Sequence, residues 1–147
     1  LYDSEGLKIL TEQECRDLLG TVPHGRIVFT DRALPAIQPV NFVMADGDVV
    51  ISTTAGSKLA AAARNAVVAF EIDEFDHAMS TGWSVVVIGH AHVVAEDGEL
   101  SHLRDLPLKP WTPREPVHYI AITPELISGR RLPAPEPHKL PSQPTPR

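Results

Sequence analysis

"LPAIQPVNFVMADGDVVISTTAGSKLAAAARNAVVAFEID", residues Leu34–Asp73, carries most of what the chain says about its fold. From Ile37 to Ala45 the residues alternate. Val40, Phe42 and Met44 fall on one face and Ile37, Asn41 and Val43 on the other, the period of two of a β-strand. Asp46-Gly47 follows, a pair that favours a two-residue hairpin because both positions tolerate positive φ. Asp48–Thr53 therefore reads as the returning strand. A run of small and polar residues then leads to Lys58 at the head of an alanine-rich helix, and Val67–Asp73 reads as a further strand.

Working outward, Thr11-Glu12-Gln13-Glu14 is a capping box, with Thr11 as N-cap and Glu14 three residues on. The helix it starts is expected to end at Leu19, with Gly20 just past the end. Arg26–Thr30 is a short β-rich run. Trp83–Val94 is a long one whose Gly89 marks a bend or bulge. Asp97–Leu106 reads as helical, with Leu100, Leu103 and Leu106 on one stripe. Pro107, Pro110 and Pro113 then forbid regular structure. His118–Thr123 is the last expected strand, and Thr123-Pro124-Glu125 looks like a cap followed by proline at the start of a short helical turn. From Pro133 onward six of 15 residues are proline, the composition of an extended tail. No internal repeat is visible. Six β runs, short connections and one helix inserted after the third run do not alternate as βαβα. They predict a mainly β domain over 1–132, an antiparallel barrel with a few packed helices, followed by the tail 133–147.

The bulk numbers narrow the function. A chain of 147 residues is the size of one domain and can bury a core without disulfides. A formal net charge of −6 argues against nucleic-acid and anionic-membrane binding, which need a basic footprint. Any anion site must then be local. One cysteine, Cys15, excludes an internal disulfide and fits a reducing compartment. No apolar run approaches the roughly 18 residues of a spanning helix, and nothing near Leu1 looks like a signal peptide. The expectation is a soluble, cytoplasmic protein.

The local anion site is sought at Thr53-Thr54-Ala55-Gly56-Ser57-Lys58. Three hydroxyls, a glycine for close backbone approach and the free N–H groups of a helix start are the chemistry that binds phosphate. A lysine at a helix N-terminus is mildly unfavourable by itself, which makes sense if an anion sits between. The pattern is not a Walker loop. The plainer reading stays open: Ser57 caps the helix and Lys58 is solvated.

The order of these elements, together with "TGWSVVVIGHAHVV" at 81–94, resembles the pyridoxamine 5′-phosphate oxidase-like flavoproteins, nearest their nitroimidazole-resistance reductase branch. The resemblance spans about Val22 to Val94, with echoes in "LPLKPW" and "ISGRRL". It implies a split β-barrel of six strands or so, antiparallel and Greek-key, working as a homodimer that holds FMN in a groove between subunits. Thr53, Thr54, Ser57 and Lys58 match the phosphate-binding positions. Gln38, Pro39, Val40 and Asn41 match the strand beside the isoalloxazine ring, where the N–H groups of Val40 and Asn41 are placed to bond the ring. Trp83 and Ser84 match the strand start that reaches the flavin from the partner. The implied function is a flavin-dependent oxidoreductase passing hydride between a nicotinamide donor or small substrate and an acceptor such as a nitro compound or quinone. No residue stands out as a proton donor. "GRRLPAPEP" replaces the longer arginine-centred C-terminal segment of true pyridoxamine-phosphate oxidases, which counts against vitamin B6 oxidation. Relatives also bind the deazaflavin F420 or heme. F420, with its acidic tail, would call on Arg26, Arg64, Arg130 and Arg131. A non-catalytic flavin- or heme-binding stress protein is the third reading.

Other constellations read blandly. His90 and His92 share one strand face, without a Cys or carboxylate nearby in sequence to complete a metal site. His24 reads as a partly exposed loop residue. Trp83 has a second reading as barrel-end packing. Cys15 reads as a buried small hydrophobe. Glu71, Asp73, Glu74 and Asp76 lack metal-loop spacing and read as a solvated strand end.

Overall fold

The computed structural model describes residues 1–54, 56–94, 108 and 117–132. The alternation over Ile37–Ala45 becomes part of a longer strand, β3 (Leu34–Ala45), in which Val40 and Phe42 are buried while Ile37 and Pro39 face outward. Asp46 and Gly47 have φ of 52° and 84°, the two positive values that a tight hairpin into β4 (Asp48–Thr54) demands. Upstream stand β1 (Lys8–Ile9), α1 (Glu12–Leu19) and β2 (His24–Asp31); downstream follow α2 (Lys58–Ala62), β5 (Ala66–Asp76), β6 (Thr81–Val93) and β7 (Val117–Leu132).

The strand order is β1-β7-β4-β3-β2-β5-β6, and a further β6–β7 pairing joins the ends, so six strands close on themselves with β1 added at one edge. Every ladder is antiparallel. β2, β3 and β4 are consecutive hairpins, and the α2 crossover returns β5 to the far side of β2, a Greek-key arrangement. This is the expected split-barrel architecture. Inside it, Ile27, Phe42, Ile51, Phe70, Val85, Val87 and Ile120 form one apolar core that α1 plugs with Cys15 and Leu19. A smaller cluster of Val50, Val94, Leu108, Tyr119 and Ala121 packs on the opposite face of β4 and β7. Among the described residues no helix is long and apolar enough to cross a membrane.

The capping box at Thr11 is formed: the Glu14 N–H donates to Thr11 Oγ1 at 3.1 Å and the Thr11 N–H to Glu14 Oε1 at 3.1 Å. Those bonds hold the Glu14 carboxyl below its ordinary range. The bulge at Gly89 is also present. The β6–β7 register shifts between Ile88 and Gly89, and a Cβ on Gly89 would lie 2.0 Å from the Thr123 carbonyl oxygen.

One expectation is corrected. Thr123-Pro124-Glu125 does not begin a helical turn; β7 runs straight through it to Leu132. Pro124 sits opposite Gly89 at the register shift, where a missing ladder N–H is tolerated. Most other strands are longer than their apolar runs suggest, and β1 has no apolar run to announce it. The helix expected over Asp97–Leu106 and the proline-rich tail lie outside the described residues.

Candidate functional site

The β3–β4 ladder stops at Phe42↔Ile51. Beyond it, residues 34–41 of β3 ladder only with β2, and Ser52–Thr54 of β4 only with β7. The two strands therefore part, and their facing edges carry the two groups of residues singled out from sequence. Gln38, Pro39, Val40 and Asn41 lie on the β3 side. Thr53, Thr54, Ser57 and Lys58 lie on the β4 side and in the turn into α2. One chain thus brings eight of the ten predicted site residues to a single split.

Ser57 is the N-cap of α2: the Ala60 N–H donates to its Oγ at 3.0 Å. The same Oγ stands 3.0 Å from Thr53 Oγ1, whose residue is only 6% exposed. The hydroxyl pair is thus held rigidly at the mouth of the turn. Gly56 has φ of +77°, and a Cβ there would meet no protein atom within 4 Å, so the glycine is required by backbone conformation rather than by crowding. Lys58 is exposed and makes no hydrogen bond or ion pair among the described residues. Because α2 has five residues, its dipole is small. The argument from an ill-placed lysine weakens accordingly, and the hydroxyls carry more of it.

Ser52, which nothing in the sequence distinguishes from an ordinary strand serine, adds an observation of its own. It is 6% exposed, and its Oγ is a buried side-chain oxygen without a hydrogen-bond partner. Leaving a buried hydroxyl unpaired costs about 1–3 kcal/mol. Strand alternation puts it on the face of Val50 and Thr54, opposite to Thr53, at the first β4 position beyond the last β3–β4 pair. The Thr53–Ser57 hydroxyl pair with the exposed Lys58 is what fits a phosphate-bearing group; the Ser52 hydroxyl would serve only a ligand that reaches the opposite face.

Trp83 and Ser84 are not part of this assembly within one chain, because β2 and β5 stand between β6 and β3. The Trp83 residue is 9% exposed and packs in the main core, the barrel-end reading. Ser84 points to the outer face between Asp73 and Arg130. On that face Arg26 donates to Glu71 at 2.9 Å and to Asp73 at 3.1 Å. Burial, then Asp73, push the Glu71 carboxyl above its ordinary range, against the pull of Arg26. Glu71 and Asp73 are therefore ion-paired and half-buried, not simply solvated; only pairing across β2 and β5 reveals this. Of the other arginines, Arg64 is exposed beyond α2 and Arg131 half-buried. His90 Nδ1 bonds the Glu125 carboxylate, a partner supplied by β7 and invisible locally. Among the described residues no three His, Cys, Asp or Glu side chains gather as a metal site would require. Cys15 is buried, and burial raises its thiol pKa, the opposite of what a nucleophile needs.

Fold and site together define a class: small antiparallel split barrels with a hydroxyl-rich turn suited to an anion at the split. Residues 11–131 match the family model described as pyridoxamine 5′-phosphate oxidase, and the chain belongs to that family. It is 41% identical over 128 residues to the uncharacterized protein Rv0080 of Mycobacterium tuberculosis, covering 84% of each chain. Among solved structures it resembles the FAD binding protein of Mycobacterium smegmatis, with TM-score 0.74 and 39% identity over 86% of this chain and all (100%) of that one. A more distant likeness, TM-score 0.68 at 20% identity over 84% of this chain and 72% of the other, is to the FAD and heme binding protein of the same organism, and it speaks for the fold alone.

Proposed function

We propose that the protein binds a flavin nucleotide, FMN in its simplest form, in the split between β3 and β4, and works as a homodimeric oxidoreductase. The observation that carries the reading is the hydroxyl pair of Thr53 and Ser57 beside the exposed Lys58, just beyond the point where β3 and β4 part. Ser57, Thr53, Thr54 and Lys58 would hold the phosphate. The backbone of Val40 and Asn41 would border the ring, and Gln38 and Pro39 would shape its edge. Pro39 has no N–H and can only set the strand's path. When bound, the flavin supplies the hydride chemistry; the chain contributes orientation and a water-poor wall. The 39%-identical M. smegmatis relative is named for FAD, which favours FAD as the second reading. A cavity of about 740 Å³ that begins at Asn41, between Thr21–Pro23 and Phe42–Met44, offers room for its adenylate half.

A second copy is proposed to cover the outer face. Ile37, Val28, Ala69, Ile88 and Leu126 are successive cross-strand partners and form an unbroken apolar row over five strands. Ile37 is 67% and Leu126 65% exposed, and an exposed apolar row of this kind supports the reading. Ser84 stands on that same face, so a second copy seated there would approach it.

The test is reconstitution. Protein stripped of ligand and titrated with FMN, or with FAD, is expected to quench flavin fluorescence at one site per chain. Absence of binding by either flavin would refute the reading, and a Soret band in the purified protein would favour heme instead. Turnover is then read by oxidation of a reduced nicotinamide in the presence of a nitroaromatic or quinone acceptor.

A further inference from the structure

A second concavity, of about 430 Å³, opens on the outer face around the start of β6 and the end of β7, away from the split. Its make-up differs from a generic surface dent. Phe75, Gly82 and Leu132 are cross-strand neighbours, and Asp73, Ser84 and Arg130 form the row beside them. A Cβ on Gly82 would lie 2.0 Å from the Phe75 ring. Only glycine lets that ring lie down on the sheet and form an apolar wall. Val86 and Leu132 complete the walls, with Trp83 behind them on the core side of the sheet, while Ser84, Ser128 and Arg130 supply the polar atoms.

Arg130 is the cation of this site and is held loosely. Its Nη1 is 3.5 Å from Asp3 and 4.0 Å from Glu5, beyond the 2.7–2.9 Å or so of a charge-assisted hydrogen bond. Arg26, by contrast, closes on both its carboxylates at 2.9 and 3.1 Å. A guanidinium held only by long ion pairs to Asp3 and Glu5, two hydroxyls and an aromatic wall suit one ligand class: a flat apolar body ending in a carboxylate, which the fork grips bidentately in their place. A chain of net charge −6 does not draw anions by its overall field, so such a ligand must be won locally.

We propose that this concavity binds a small aromatic carboxylate, with Arg130 on the carboxylate and Phe75 against the ring. That the ligand serves as the reaction partner of the flavin rests on the reading above, in which Ser84 faces the partner subunit's cofactor; binding itself does not.

The test uses flavin-free full-length protein carrying Trp111→Phe, so that Trp83 alone reports, titrated with 4-nitrobenzoate and with the uncharged 4-nitrobenzamide. Expected are saturable quenching, an affinity for the benzoate about tenfold or more above that for the benzamide, loss of that margin in Arg130→Met and partial retention in Arg130→Lys. Phe75→Ala should weaken both probes. Equal affinity for the two probes, or an unchanged margin in Arg130→Met, would overturn the proposal. Saturating FMN that displaces the benzoate would overturn it too, since the cavity would then belong to the cofactor. Benzoate binding in a protein that takes up no flavin would leave the site standing and remove only its redox role.

Discussion

Replacing Ser57 by alanine and, separately, Lys58 by alanine divides what the α2 turn does for the fold from what it does for a ligand. Ser57 Oγ accepts from the Ala60 N–H and pairs with Thr53 Oγ1, each at 3.0 Å. Losing an N-cap costs about 1 kcal/mol. Losing the partner of a hydroxyl as buried as Thr53's costs about 1–3 kcal/mol more. Because both losses fall on one atom and the turn can relax, about 2 kcal/mol is the expected total. For a domain of this size that lowers Tm by about 4–8 °C. Lys58 makes no hydrogen bond or ion pair among the described residues, so Lys58→Ala should leave Tm unchanged while weakening FMN binding about tenfold, or 1.4 kcal/mol. Thermal unfolding of the flavin-free proteins and fluorescence titration with FMN measure both. A Lys58→Ala protein that loses stability but keeps its FMN affinity would refute the reasoning, because the lysine would then be structural.

Further outcomes follow from other parts of the molecule. Ala33→Gly should raise Tm, because Arg32 and Ala33 sit at φ of 52° and 67° and a left-handed Cβ costs about 1 kcal/mol; an unchanged or lower Tm would contradict this. Leu126→Glu places a charge in the apolar row and should shift the dimer to monomer in sedimentation velocity with Tm little changed, whereas a wild-type monomer would remove the dimer. The Glu14 carboxyl is lowered by its bonds to Thr11. Its stabilisation is therefore present above the ordinary value of 4.5 and lost as pH falls through the folded pKa, so Glu14→Gln should flatten the acid limb of a denaturation series. Glu71 carries the opposite sign. Its raised pKa makes stability fall as pH rises from 4.5 to the folded value, and Glu71→Gln should abolish that component; a mutant with the wild-type pH profile would contradict it.

Local chemistry explains which features could be read from the chain. Alternation over Ile37–Ala45, the Asp46-Gly47 turn and the Thr11 capping box are set by neighbours in sequence, and each forms as expected. The Arg32–Ala33 turn was not legible, since neither residue advertises positive φ; the pairing of Asp31 with Leu34 imposes it. Pro124 is ambiguous in sequence because proline after threonine starts helices as readily as it sits at a bulge, and only Gly89 across the ladder decides. The same holds for the candidate sites. Thr53–Lys58 is contiguous and visible. The Arg26–Glu71–Asp73 cluster, the His90–Glu125 pair and the concavity at Arg130 are assembled by strands distant in sequence. Ser52 looked like any strand serine until its burial without a partner set it apart.

The central claim is that the parted strands β3 and β4 receive a flavin whose phosphate lies against Ser57 and Lys58. A crystal structure of the protein grown with saturating FMN tests it most directly. The account predicts phosphate density within hydrogen-bond reach of the Ser57 hydroxyl and the Lys58 ammonium, with the ring along Gln38–Asn41. Flavin bound elsewhere on the barrel, with that turn holding only solvent, would contradict it.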